Sequence, residues 1–512
     1  MIVAGAGVLI AAGAGAAAIL LPAGRLRAAA MLVALALFPA LILGDQWNTA
    51  QIADLRDEPV GLIALALLLT AAAVVAIAAA FRRWPVLLPL AIVAALPFRI
   101  LLEAGGDTAN LLVPLYLVIA AGVVGTAARD IGLWPAGPVA GEGSPAHPPE
   151  NPRPAPPAGA AGWLTWALAG VVMLYAVQAL YSPDFSKSLQ NVCFFFVPFS
   201  LVFALLRDVR WDRKLLRLVL WVVALEAVAF VVVGTVEWAT KSLFWNDQVI
   251  RSNEFHTYFR VNSVFWDPNI YGRYLALAIV VAISALLWAQ DRKTLTPLVL
   301  LVGVLWFGLV PSFSQSSFAA LLGGLAVLAA IRWSWKLTLG AVGAAAVLGV
   351  IVVVFAGGNS TLTTDRLNVD TGGRSNLVTG GIELFAQRPL WGYGSGSFPR
   401  AYREHVDSGN NPVSVSHTEP ITVAAEQGLL GLLAYAGLLA AALWTMAAGL
   451  LRQQAVGRVA VLAAFVALLV HTMAYAGFYE DPIAWVLLAV GASLSAEFAV
   501  SRAHGGQQQA RE

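Results

Sequence analysis

The stretch VSVSHTEPITVAAEQGLLG, residues 413–431, sets His417, Glu419 and Glu426 where a polar segment becomes an apolar helix. In a helix starting near Thr418, Glu419 and Glu426 share a face. Glu419 then lies in the first turn, where the macrodipole favours an anion, and Pro420 suits that turn as well. Helix capping therefore accounts for Glu419 and Pro420. His417 lies just outside the helix, and capping does not require it. An imidazole that titrates near neutrality is the usual proton acceptor for a hydroxyl nucleophile.

A second set of candidates is cationic. Arg260 and Arg273 flank VNSVFWDPNIYG, and Arg366, Arg374, Arg388, Arg400 and Arg403 crowd the segment ahead of His417. A guanidinium binds phosphate oxygens as a two-pronged fork and does not titrate. The bland alternative is pairing with lipid headgroups at the interface. Arg260 and Arg374 lie beside Gly, Pro and Asn turns, which favours a ligand role for those two. Asp267-Pro268-Asn269 reads as a turn and helix start, so Asp267 either caps a helix or touches substrate. Gly392, Gly394 and Gly396 have no strand before them, which excludes a nucleotide-binding loop and leaves a tight turn. Glu226, Gln178 and His471 fall within apolar runs, where a polar group either bonds a neighbouring helix or lines a transport path.

These residues need a frame, and the composition says which kind. The chain of 512 residues is 59% hydrophobic and 12% charged, with a mean hydropathy of +0.77. That is too little charge for a water-covered surface, so the chain belongs to the membrane class. A net charge of +2 gives no reason to expect nucleic acid as a partner. Cys193 is the only cysteine, so no disulfide or thiolate metal site can be built. The N-terminus lacks a basic leader and reads as a first membrane helix.

A spanning helix needs about 20 apolar residues. On that measure about fifteen spans are expected, near 2–21, 27–44, 59–80, 85–103, 110–127, 162–181, 189–206, 215–236, 270–289, 295–311, 316–331, 337–356, 420–449, 457–477 and 481–500. Short-loop arginines and lysines alternate if PSFSQSS separates two spans, which puts the N-terminus outside and the C-terminus inside. The fold class expected is all-α, a polytopic transmembrane helix bundle of about 14–15 spans with a folded, partly helical large outer loop. The expected divisions are N-terminal helices (1–127), a Pro/Ala/Gly-rich cytoplasmic linker (128–161), and central helices (162–356) with an outer loop at 237–269. The large outer loop (357–418), C-terminal helices (419–500) and a cytoplasmic tail (501–512) follow. Within the large loop, SNLVTGGIELFAQ predicts a helix with Leu377, Val378, Gly381, Ile382 and Phe385 on one face, ended by Pro389.

Three stretches together resemble the O-antigen ligase/polymerase superfamily, membrane glycosyltransferases that use polyprenyl-diphosphate-linked glycans. They are RVNSVFWDPNIYGRYLAL, GGRSNLVTGGIELFAQRPLWGYGSGSF and SHTEPITVAAEQGLLG. The likeness covers roughly residues 250–445 well and the last two helices loosely. Thr418 stands where the family has Asn, Asn262-Ser263 replace its Gly position, and Gln315 stands where it has Arg. The resemblance implies a polyprenyl (undecaprenyl) diphosphate glycan donor, a glycan or glycolipid acceptor, and a membrane-lipid environment. It implies Arg260, Arg374 and Arg273 on the diphosphate, and Asp267 and Asn269 on substrate. His417 would handle the acceptor proton or assist departure of the diphosphate, and Glu426 would orient His417 or the loop. No metal and no cofactor are implied. The expected location is the cytoplasmic (inner) membrane, with the site on its outer face. A polymerase of the same superfamily, or a flippase of lipid-linked saccharides, is the competing expectation.

Overall fold

A computed structural model describes residues 2–49, 52–53, 56, 58–104, 107–134, 160–255, 258–344, 374–407, 414–450 and 454–509. Arg366, most of the 128–161 linker and the end of the 337–356 span lie outside them. Among the described residues, eleven helices are long and apolar enough to cross a membrane, and Val456–Thr472 and Pro482–Glu497 are shorter apolar helices. The chain is an all-α polytopic helix bundle.

The helices that carry the site are α8 (Arg213–Thr240), α10 (Pro268–Trp288), α11 (Arg292–Leu309), α12 (Gln315–Ala344), α13 (Arg374–Gln387), α14 (Phe398–His405), α15 (Glu419–Ala447) and α16 (Val456–Thr472). Before them come α1 (Ile2–Leu20), α2 (Arg25–Asp45), α3 (Val60–Arg83), α4 (Leu87–Ala95), α5 (Val113–Asp130), α6 (Ala160–Ala179) and α7 (Phe185–Leu206). Short helix α9 (Asp247–Phe255) lies between α8 and α10, and α17 (Pro482–Gln509) ends the chain. Local chemistry sets many starts. Asp184, Asp212, Asp267, Asp291 and Ser314 each cap a following helix by accepting a backbone N–H, which satisfies one of the orphan donors at a helix N-terminus.

Segments far apart in the chain touch near the helix ends. Arg27 pairs with Asp208, and Gln454 Nε2 donates to Ile331 O at 2.7 Å. Ser186 Oγ donates to Asp45 at 2.7 Å, and Arg400 Nη1 donates to Pro183 O at 2.6 Å. PSFSQSS separates α11 from α12, as expected, through a short 3-10 turn at Val310–Ser312.

Three expectations need correction. The 85–103 run is not one long helix: α4 has 9 residues and is followed by an antiparallel hairpin of β1 (Ile100–Ala104) and β2 (Asp107–Leu111). Residues 316–331 and 337–344 form one helix through a π turn at Ala330–Ser334, since neither Pro nor Gly interrupts them. In α13 the buried face is Gly380, Gly381 and Leu384, while Ile382 is 52% exposed. The glycines are on the buried side because Tyr402 and Phe398 of α14 lie against them.

Candidate functional site

Arg260 is fixed on all sides but one. Its backbone N–H donates to Asn253 Oδ1 at 3.0 Å, its Nε donates to Ser312 O at 3.1 Å, and its Nη2 donates to Asn269 Oδ1 at 3.3 Å. Its Nη1 has no hydrogen-bond partner among the described residues. Burial lowers its pKa, while the charge of Asp267 raises it and that of Arg374 lowers it. Asp267 caps α10, accepting from Asn269 N at 2.6 Å. Asn269 is buried and also accepts from Ser314 Oγ at 2.8 Å. Thus the DPN turn and the PSFSQSS break join beneath one guanidinium.

Arg374 is exposed and opens α13. It makes no hydrogen bond or ion pair among the described residues. A cation at the positive end of a helix dipole is electrostatically unfavourable until an anion arrives. By contrast, Arg388 lies over the Tyr393 ring at 4.4 Å, and Arg400 pairs with Glu404 at 2.8 Å. Gln315, the residue at the family's arginine position, is exposed at the N-terminus of α12.

His417 has φ +61°, a left-handed conformation for a residue that has a Cβ. Such strain costs about 1–3 kcal/mol and gathers at functional sites. Its Nε2 is 3.1 Å from Ser414 Oγ, and its ring packs against Tyr475 with centroids 6.4 Å apart. Burial lowers its pKa below the ordinary 6.5, the Arg374 charge lowers it further, and Asp267 opposes both. Arg260, Asp267, Arg374 and His417 therefore share one electrostatic field.

The carboxylates do other work. Glu426 accepts from Gly396 N at 2.8 Å and Phe398 N at 3.0 Å, so it holds the glycine loop and makes no bond to His417. Glu419 accepts from Gly477 N at 2.6 Å and Phe478 N at 3.0 Å. Its duty is to tie α15 to the segment after α16, which the capping reading missed. Glu237, at the end of α8, accepts from Asn262 N at 3.1 Å and Ser263 N at 2.7 Å. Each of these buried carboxylates grips two backbone donors of a loop.

The glycine loop docks by main chain. Gly428 has φ +64° and breaks α15, freeing backbone groups. Gly394 N donates to Glu426 O at 2.7 Å, and Leu429 N donates to Pro389 O at 2.7 Å. A Cβ on Gly392 would meet Glu426 O at 2.3 Å. Irregular backbone inside a membrane bundle is tolerated where protein partners satisfy it. Gln178 Nε2 completes this by donating to Gln427 O at 3.1 Å.

Arg273 is one turn into α10 and forms an ion pair with Asp481 at 3.1 Å, with the side chains 6% and 3% exposed. Sequence reading placed Arg273 with the diphosphate arginines, and in the structure its partner is Asp481. Glu226 accepts from Tyr274 at 2.6 Å. Sequence reasoning overlooked Glu237, Tyr475 and the serines of PSFSQSS. A carboxylate at the end of an otherwise apolar helix was the available signal for Glu237.

No curated protein matches the chain. Residues 300–436 match the family model described as O-antigen ligase. The matched segment runs from α11 into α15 and takes in Arg374, the glycine loop, His417 and Glu426, with Arg260, Asp267 and Asn269 upstream of it. Through that segment, the chain is similar to the O-antigen ligase family, which supports the resemblance to the O-antigen ligase/polymerase superfamily.

Proposed function

We propose that the protein is a membrane glycosyltransferase, moving a glycan from polyprenyl (undecaprenyl) diphosphate to an acceptor glycan or glycolipid at the outer face of the cytoplasmic membrane. The grouping of Arg260, Arg374 and His417 in one field carries this reading. Arg374 and Nη1 of Arg260 are cationic donors without acceptors among the described residues, and a diphosphate supplies acceptors. Asp267 and Asn269 hold Arg260 in place, and Glu426 holds the loop that precedes His417.

In the reaction, the acceptor hydroxyl attacks the anomeric carbon, and the bond from that carbon to the diphosphate oxygen breaks. Neutral His417 takes the hydroxyl proton. The departing polyprenyl diphosphate keeps the electron pair, and its charge is held by Arg260 and Arg374. Catalysis is then positioning plus electrostatic stabilisation of the leaving group.

The test is reconstitution in lipid with a polyprenyl-diphosphate oligosaccharide and candidate acceptors. Transfer with release of polyprenyl diphosphate is expected, and His417→Ala should abolish it in a protein that still folds. Full transfer by that variant would remove the role of His417. Movement of intact donor across the bilayer without cleavage would replace the reading with transport.

A further inference from the structure

His471 is fully buried in α16 and takes no part in the site as described above. Its Nε2 is 3.1 Å from Ser316 Oγ. Ser316 Oγ is 3.2 Å from Ser314 Oγ, which is 2.8 Å from Asn269 Oδ1, the atom that faces Arg260 Nη2 at 3.3 Å. These contacts form one unbroken chain from α16 through the start of α12 and the DPN turn to the guanidinium.

The direction of every proton in that chain follows from its end. A guanidinium only donates, so the Asn269 atom facing it is the amide oxygen. That oxygen only accepts, so Ser314 must donate to it. With its single proton spent there, Ser314 is left with two lone pairs, which accept from Ser317 Oγ at 2.7 Å and from Ser316 Oγ at 3.2 Å. Ser316 in turn must accept from His471, which fixes the proton on Nε2. The same ring lies 5.6 Å from Tyr475, whose other ring neighbour is His417. His471 thus stands behind both halves of the site.

We propose that His471 is a positioning residue. It terminates a one-directional hydrogen-bond relay, through Ser316, Ser314 and Asn269, that sets the Arg260 guanidinium for the donor diphosphate. This rests on the reading of Arg260 given under the proposed function. The relay explains why a polar ring occupies a buried position in an apolar helix, and why a break rich in serine separates α11 from α12. A Gln side chain offers an amide donor near the place of Nε2, whereas Leu fills similar space with none.

The experiment measures undecaprenyl diphosphate binding to the full chain in nanodiscs, together with donor and acceptor KM in the transfer assay. His471→Leu and Ser316→Ala should each weaken donor binding severalfold and raise donor KM, with kcat and acceptor KM little changed. The double variant should be no weaker than the weaker single one, because both break the same relay. His471→Gln should restore binding to within about twofold of the wild type, as expected when one donor replaces another in place. Should His471→Leu fail to fold, Ser316→Ala carries the test. Wild-type binding by Ser316→Ala, summed effects in the double variant, or a His471→Gln no better than Leu would overturn the proposal. Arg260→Gln separates the two readings. If it binds donor normally, the diphosphate role of Arg260 falls. If it binds poorly while the relay variants bind normally, only the relay falls.

Discussion

The Glu426 carboxylate, buried in α15, accepts the backbone N–H of Phe398 at 3.0 Å while its other oxygen holds Gly396 N at 2.8 Å. A catalytic candidate in the sequence is, in the fold, the fastener of the glycine loop. Glu426→Gln keeps the shape but removes the charge and one acceptor. A charged hydrogen bond is worth about 1.5–3 kcal/mol, so a loss of stability in that range is expected. Faster amide exchange should be confined to residues near 394–398. Loss of transfer without any change in exchange would instead put Glu426 in contact with substrate.

His417 should set the acid limb of transfer. In the proposed reaction its neutral form is the proton acceptor, and its pKa lies below 6.5 because of burial and the Arg374 charge. Activity should therefore fall as pH drops through that lowered value. Arg374→Gln removes a positive charge, so the limb should move to higher pH. Asp267→Asn should move it to lower pH. In stability the sign is the same: a depressed folded pKa gives a contribution that is full above 6.5 and lost as pH falls through the folded value. A pH profile of kcat at saturating donor checks this, and a limb unmoved by Arg374→Gln would break the link between the two residues.

The Arg273–Asp481 pair lends itself to a double-mutant cycle. Removing one partner strands a buried charge, which costs about 3–5 kcal/mol. Arg273→Leu and Asp481→Leu should each lower the unfolding temperature sharply, and the double variant should recover much of it. Donor KM in that double variant then decides the role of Arg273. A near wild-type KM makes the pair structural, and a large rise puts Arg273 on the diphosphate.

Two glycines should behave oppositely. Gly392 has φ +67°, and a Cβ there would meet Glu426 O at 2.3 Å, whereas a Cβ on Gly303 in α11 meets nothing within 4 Å. Gly392→Ala combines backbone strain with a steric clash and should destabilise by about 2 kcal/mol or more. Gly303→Ala should leave melting almost unchanged. Equal melting of the two variants would refute the docking of the loop on α15.

Much of this was legible because it is local. Apolar length gave most spans, PSFSQSS marked the α11–α12 break, and Pro389 predicted the end of α13 at Gln387. Run length alone read 85–103 as one continuous helix. Counting apolar residues cannot tell a long helix from a short helix plus a hairpin, although Gly105-Gly106 is a dipeptide that tight hairpins favour. The partners of Glu237, Glu419 and Glu426 lie 25 to 59 positions away along the chain. No periodicity encodes such contacts. The strain at His417 was also hidden, since a left-handed residue with a side chain leaves no compositional trace.

The three carboxylate clamps all address amide N–H groups, never side chains. Main chain is the same whatever residue occupies a position, so the clamps are indifferent to what the loops display. Side chains along the gripped turns are left open to change without loosening the scaffold. Residues on the loop surfaces can therefore be exchanged while the charged centre stays where it is.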